Sequence, residues 1–122
     1  MKVYNKDIGA YGEDISQSYL RNLGYNILHK NFRCKCGEID LIASNKDYIC
    51  FIEVKTRYGK SFGLPAESVF YSKQHKILKT AQMYIYMKNI INTNFRFDVI
   101  EVILNDENND FIINHIEDAF QQ

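Results

Sequence analysis

Two carboxylates and a lysine define the chemistry open to this chain. Glu53 and Lys55 stand two residues apart in Phe51-Ile52-Glu53-Val54-Lys55-Thr56-Arg57. Asp40 interrupts a second apolar run, Gly37-Glu38-Ile39-Asp40-Leu41-Ile42-Ala43. The period of two puts Tyr48, Cys50, Ile52 and Val54 on one strand face and Ile49, Phe51, Glu53 and Lys55 on the other. That second face begins apolar and ends in an acid and a base. Their backbones are about 6.6–6.8 Å apart, so both heads can reach one small site. The polar turn Ser44-Asn45-Lys46-Asp47 joins the runs, and a hairpin sets Asp40 beside Glu53 and Lys55.

Two readings of this trio compete. Neighbouring Glu and Lys residues usually form a simple salt bridge worth little. Apolar flanks weigh against that reading here, because buried charges persist only when paired or metal-bound. The acids also outnumber the base. Two carboxylates about 4 Å apart repel by about 4 kcal/mol at an effective dielectric near 20. A hard divalent cation such as Mg²⁺ converts that repulsion into binding, since it takes carboxylate oxygens, keeps several waters and docks on phosphates. The metal reading is the preferred one.

Asp40 followed thirteen positions later by Glu53-Val54-Lys55 resembles the PD-(D/E)XK nuclease signature, an acid, a gap and an acid-x-Lys. Ile39 stands where a proline often precedes the first acid. The chain is more closely similar to the YraN family, small bacterial proteins that resemble archaeal Holliday-junction resolvases. The segments that carry this likeness are Gly12-Glu13-Asp14, Gly24 to Leu28, Asn31-Phe32-Arg33, Gly37 to Ala43, Phe51 to Arg57, part of Phe62 to Glu67, and Arg96-Phe97-Asp98-Val99. The likeness implies a restriction-endonuclease-like core and Mg²⁺- or Mn²⁺-dependent cleavage of DNA, including branched or flapped forms. It also implies that Asp40 and Glu53 hold the metal with the Val54 carbonyl, that Lys55 positions water or offsets transition-state charge, and that Glu13 is an accessory acid. Resolvase-like enzymes act as symmetric homodimers, though no stretch here marks a dimer face. The alternative is a nucleic-acid- or protein-binding module that keeps the fold without turnover.

Charge is uneven along a chain of zero formal net charge. Residues 1–54 hold 7 basic and 7 acidic residues, residues 55–96 hold 8 and 1, and residues 97–122 hold none and 7. The basic middle permits a local phosphate-binding face, and a solvated helix face would look the same. Arg33, Lys35, Arg57, Lys73 and Lys76 are the candidate DNA contacts. No apolar run approaches the roughly 20 residues of a membrane span, and the N-terminus lacks a signal-peptide core, so a cytoplasmic protein without a membrane partner is expected. Three cysteines argue against a disulfide framework. Cys34-Lys35-Cys36 lacks the second close pair that a tetrahedral zinc site needs.

The elements that must position these groups follow from periodicity. Ile8, Tyr11, Ile15, Tyr19 or Leu20, and Leu23 recur at helical spacing, predicting a helix over 6–23 capped by Gly24. Tyr25 to Phe32 reads as a strand with Tyr25, Ile27 and His29 on one face. The two central strands come next. A loop with Gly59, Gly63 and Pro65 follows, then a short helical turn over 66–70. Ser72 is placed as N-cap of a helix over 73–90, with Ile77, Leu78, Ala81, Tyr84 and Ile85 as its buried stripe. Phe95 to Leu104 and Phe111 to Ile116 form a closing hairpin. Asp98 is read as a structural partner of Arg96. The expected fold is α/β over 1–122, a single nuclease-like domain with a mixed sheet flanked by helices in the order αβββ-α-ββ.

Overall fold

The computed structural model describes residues 5–59 and 71–120. It holds α1 (Asn5–Asn22), β1 (Asn26–Cys34), β2 (Gly37–Ser44), β3 (Tyr48–Tyr58), α2 (Tyr71–Met87), β4 (Asn94–Leu104) and β5 (Phe111–Ile116). The strands form one sheet in the order β1-β2-β3-β4-β5. Among the described strands only β3 and β4 run parallel; the other neighbours are antiparallel. A parallel pair needs a crossover, and α2 lies in it. The αβββαββ order and mixed sheet are those of a restriction-endonuclease-like core. Among the described residues, no helix is long and apolar enough to cross a membrane.

The alternation of β3 builds a core on each face of the sheet. Cys50 and Ile52, with Val54 beside them, pack with Leu20, Tyr25, Leu41 and Ala43 on the α1 side. Ile49 and Phe51 pack with Ile42, Ile77, Ala81 and Tyr84 on the α2 side. A strand buried on both faces needs near-continuous apolar sequence, and Ile49 to Ile52 supplies it. Gly12 lies against Thr56, where an added Cβ would collide with the threonine side chain. This close approach seats α1 on β3. Gly24 closes α1 at φ 95°, the left-handed cap expected there.

Three local expectations shift. A bulge between Ile27 and His29 carries His29 to the α2 face, where its ring meets Phe32 and Tyr84 at 5.4 and 6.3 Å. A bulge adds one residue, and one residue reverses the face. α2 begins at Tyr71, so Ser72 lies inside the first turn and not at the N-cap. The helix also ends at Met87, because Asn89 turns left-handed at φ 54°. The helical turn expected over 66–70, and the loop from residue 60, lie outside the described residues.

Asp98 is fully buried on the α1 side. Arg96 donates to it through Nε at 2.9 Å and Nη2 at 2.8 Å, and the Asp118 amide donates at 3.0 Å. His115 Nε2 meets the same carboxylate at 2.8 Å, while its Nδ1 lies 3.0 Å from the Tyr19 hydroxyl. Burial alone would raise the Asp98 pKa, but His115 and Arg96 outweigh it and hold the carboxyl below its ordinary range. This is the Arg–Asp pairing read from the sequence, extended by a histidine that was not foreseen. It ties β4 to β5 and α1.

Candidate metal and phosphate site

The β2–β3 ladder runs from Ser44–Ile49 to Leu41–Ile52. Asp40 and Glu53 are the residues just beyond its last pair. The two strands do not bond there through the backbone alone: Asp40 Oδ2 accepts the Val54 amide at 2.8 Å. The β1–β2 ladder breaks at the same level. Partners run from His29–Ile42 to Cys34–Gly37 with the Asn31–Asp40 step missing. Asn31 takes φ 51°, a left-handed conformation that asparagine tolerates better than most residues. Ile42 and Ile39, three residues apart, both enter the α2-side core. The alternation therefore slips by one residue at Asp40, and this irregularity makes room for a carboxylate between strands.

Glu53 is 8 % exposed. Its Oε1 lies 3.8 Å from Lys55 Nζ and 2.5 Å from Lys73 Nζ. Lys73 reaches across from the first turn of α2. Glu13 projects from α1 and hydrogen-bonds Asn31. One acid from α1, one from β2 and one from β3 thus share an electrostatic neighbourhood, with lysines from β3 and α2.

The pKa directions follow from burial and crowding. Burial first, then the Glu53 charge, pushes Asp40 up to about 7, against the lowering effect of the Val54 amide. Burial also raises Glu13, and the Asn31 bond only partly offsets it. Lys55 is lowered by burial and by the neighbouring Lys73. Burial works most strongly against the Lys73 ammonium, but the bond to Glu53, the Glu53 charge, Lys55 and Asp40 together outweigh it and its pKa rises. The cluster opens to solvent on the lysine side, where the Lys55 and Lys73 side chains are 41 % and 43 % exposed.

The donor set suits a hard cation. Asp40, Glu53 and the Val54 carbonyl offer oxygen ligands, and waters complete such a sphere. Among the described residues, no three of His, Cys, Asp and Glu are close enough to hold a metal ion by themselves. A metal here would rest on the two carboxylates of Asp40 and Glu53. Cys34, Cys36 and Cys50 are free thiols.

The expected phosphate contacts divide. Lys73 belongs to the cluster. Arg57 is half-buried and donates through Nε to Glu101 Oε2 at 3.1 Å. Arg33 lies 3.3 Å from Glu38 at the exposed end of the β1–β2 hairpin. Lys35 and Lys76 are exposed. Sequence reasoning missed Glu101, which is 6 % exposed and pairs in register with Lys55. An acid within the apolar run Val99 to Ile103 was its signal, the same one that picked out Asp40. A cavity of about 460 Å³ beside the β4–β5 turn is lined by Ile103, Asp110, Phe111 and Ile112. It shares no residue with the cluster and brings no base near its acids.

The model of the uncharacterised protein family UPF0102 matches residues 12–102. That span begins at Gly12 and takes in every member of the cluster. The chain belongs to UPF0102. This is the YraN family of the sequence resemblance. UPF0102 proteins of Clostridium kluyveri and Clostridium botulinum strain Loch Maree are 56 % and 57 % identical to it, each over 99 % of both chains. A third, from Clostridium novyi, is 56 % identical over 96 % of this chain and 98 % of its own. These UPF0102 relatives match the whole domain, from α1 to β5, and not an isolated motif.

Proposed function

We propose that this protein is a cytoplasmic, divalent-metal-dependent DNA endonuclease that hydrolyses phosphodiesters, with branched or flapped DNA as the substrate class. The observation that carries the proposal is Asp40 Oδ2 accepting the amide of Val54, the residue after Glu53, at 2.8 Å beside a break in the strand pairing, with Lys55 Nζ 3.8 Å from Glu53. Asp40, Glu53 and the Val54 carbonyl would hold Mg²⁺ or Mn²⁺, with Glu13 as accessory ligand. When bound, such an ion polarises the scissile phosphate and lowers the pKa of coordinated water. The chain's own groups do the rest. Glu53 and Asp40 fix the position of the reacting centre from two adjacent strands. Lys55, the more easily deprotonated lysine, orients the attacking water and offsets charge as the phosphorane-like state forms. The resolvase likeness extends the reading to a symmetric homodimer.

A second reading has its own support. Two lysines already neutralise Glu53, as they would in a binding module without turnover. The test is incubation of purified protein with flapped, branched, single-stranded and duplex DNA in Mg²⁺ and in Mn²⁺. Cleavage that Glu53→Gln abolishes supports the nuclease. Retained DNA binding with no cleavage of any form, and no metal-induced rise in melting temperature, supports the module.

A further inference from the structure

Lys73 and a metal ion would share one carboxylate. The ammonium of Lys73 contacts Glu53 Oε1 at 2.5 Å, and that oxygen belongs to one of the two carboxylates any metal must use. Mg²⁺ binds oxygen at about 2.0–2.1 Å and demands near-octahedral geometry. An ammonium held against Oε1 leaves that oxygen less free to meet this geometry. The two cations also repel each other, the more so because one of them is divalent. The ion can reach Glu53 through Oε2, but with Lys73 on Oε1 each cation weakens the other's hold on the carboxylate.

The geometry gives Lys73 somewhere to go. Its Cα is fixed on the first turn of α2, a helix anchored in the core through Ile77, Ala81 and Tyr84. The ammonium rides on a four-carbon stem with three donors, and the side chain is 43 % exposed. It can leave Glu53 without moving the helix. Lys55 is different, because its strand holds it beside Glu53 on the same sheet face.

We propose that Lys73 is an internal cation that exchanges with the divalent metal at Glu53 and, once released, takes the substrate phosphate. This rests on the metal-nuclease reading and adds a coupling to it. Before metal enters, Lys73 neutralises a buried acid. After metal enters, a freed ammonium stands at the rim of the site where the phosphate docks. Metal and DNA then favour each other's binding through one side chain, and the coupling is reciprocal.

The experiment uses the full chain as wild type, Lys73→Gln, Lys73→Arg, Lys46→Gln and Glu53→Gln. Mn²⁺ affinity is measured by calorimetry without DNA. Affinity for a flapped DNA duplex is then measured with and without Ca²⁺. Lys73→Gln is expected to bind Mn²⁺ tenfold or more tightly than wild type, while Lys73→Arg stays near wild type. Lys46→Gln, on the exposed β2–β3 turn, leaves Mn²⁺ affinity unchanged. The gain in DNA affinity on adding Ca²⁺ is expected to shrink in Lys73→Gln alone. Unchanged or weaker Mn²⁺ binding by folded Lys73→Gln, with Glu53→Gln still abolishing it, overturns the exchange and leaves the metal site standing. Absence of Mn²⁺ binding by folded wild type and Lys73→Gln alike overturns both. Should Lys73→Gln fail to fold, a Lys73→Arg protein with tenfold tighter Mn²⁺ binding, charge intact, is enough to overturn the exchange.

Discussion

Asp40 is buried beside a second carboxylate, and its pKa of about 7 lies well above the unfolded value near 3.9. Between those values the folded chain binds the extra proton. Stability is therefore fullest below about pH 4 and is lost as pH rises through 7. Asp40→Asn removes the titration, so its melting temperature should fall less than that of wild type between pH 4.5 and 8 without metal. Parallel pH profiles of the two proteins would reject the idea. The acid pair makes a second expectation sharp. Glu53→Gln keeps the shape and removes a charge, so metal affinity drops while folding holds. Lys55→Ala leaves metal binding nearly intact and cuts any turnover by orders of magnitude. A plain salt bridge gives the reverse: both changes lower the metal-free melting temperature alike, and metal rescues neither.

Position on the elements decides whether these side chains meet. Gly12 lets α1 lie against Thr56 of β3, and the neighbouring residue is Glu13. The Thr56 hydroxyl is buried without a hydrogen-bond partner, a sign of how close the packing is. Gly12→Ala forces a methyl into that contact. Overpacking of this kind costs about 1–3 kcal/mol, readable as a lower urea midpoint at unchanged slope. Adding Thr56→Ala should restore part of the loss. Independent, additive effects would show that the two residues do not press on each other. Asn31 works the same way on β1, since its left-handed backbone opens the strand pairing where Asp40 sits and its side chain holds Glu13.

The whole molecule separates its charges across the sheet. Lys30, Arg33 and Lys35 lie on β1 and its turn, and α2, with Lys76 and Lys79, covers β2 and β1. Asp106, Glu107 and Asp110 lie in the β4–β5 turn at the opposite edge. DNA should dock on the β1–α2 half. Removing one lysine–phosphate interaction there lowers the slope of log affinity against log salt by about one. Lys35→Ala and Lys76→Ala should each do so, and a charge change at Glu107 should alter affinity little. Salt-independent binding would argue for solvated lysines. The other face carries stability. Asp98→Ala strands Arg96 and His115, and breaking a buried ion pair costs about 3–5 kcal/mol. That is a large share of a small domain's stability, so Asp98→Ala should unfold at much lower urea. Whatever stays folded should bind metal as wild type does.

Strand alternation and apolar periodicity act over a few residues, so the chain's own order of residues determined the five strands, both long helices, the two faces of β3 and the choice of Asp40, Glu53 and Lys55. The Arg96–Asp98 pair was legible for the same reason, being two residues apart on one strand. Contacts between distant segments were not. No local pattern says that Asn31 breaks the ladder beside Asp40, that Glu101 comes into register with Lys55, or that His115 closes onto Asp98 from seventeen residues away. The bulge before His29 defeated alternation because one inserted residue reverses a face. Lys73 is the clearest case. In sequence it is one of several helix lysines, and only the crossover that lays α2 over the sheet puts its ammonium on Glu53.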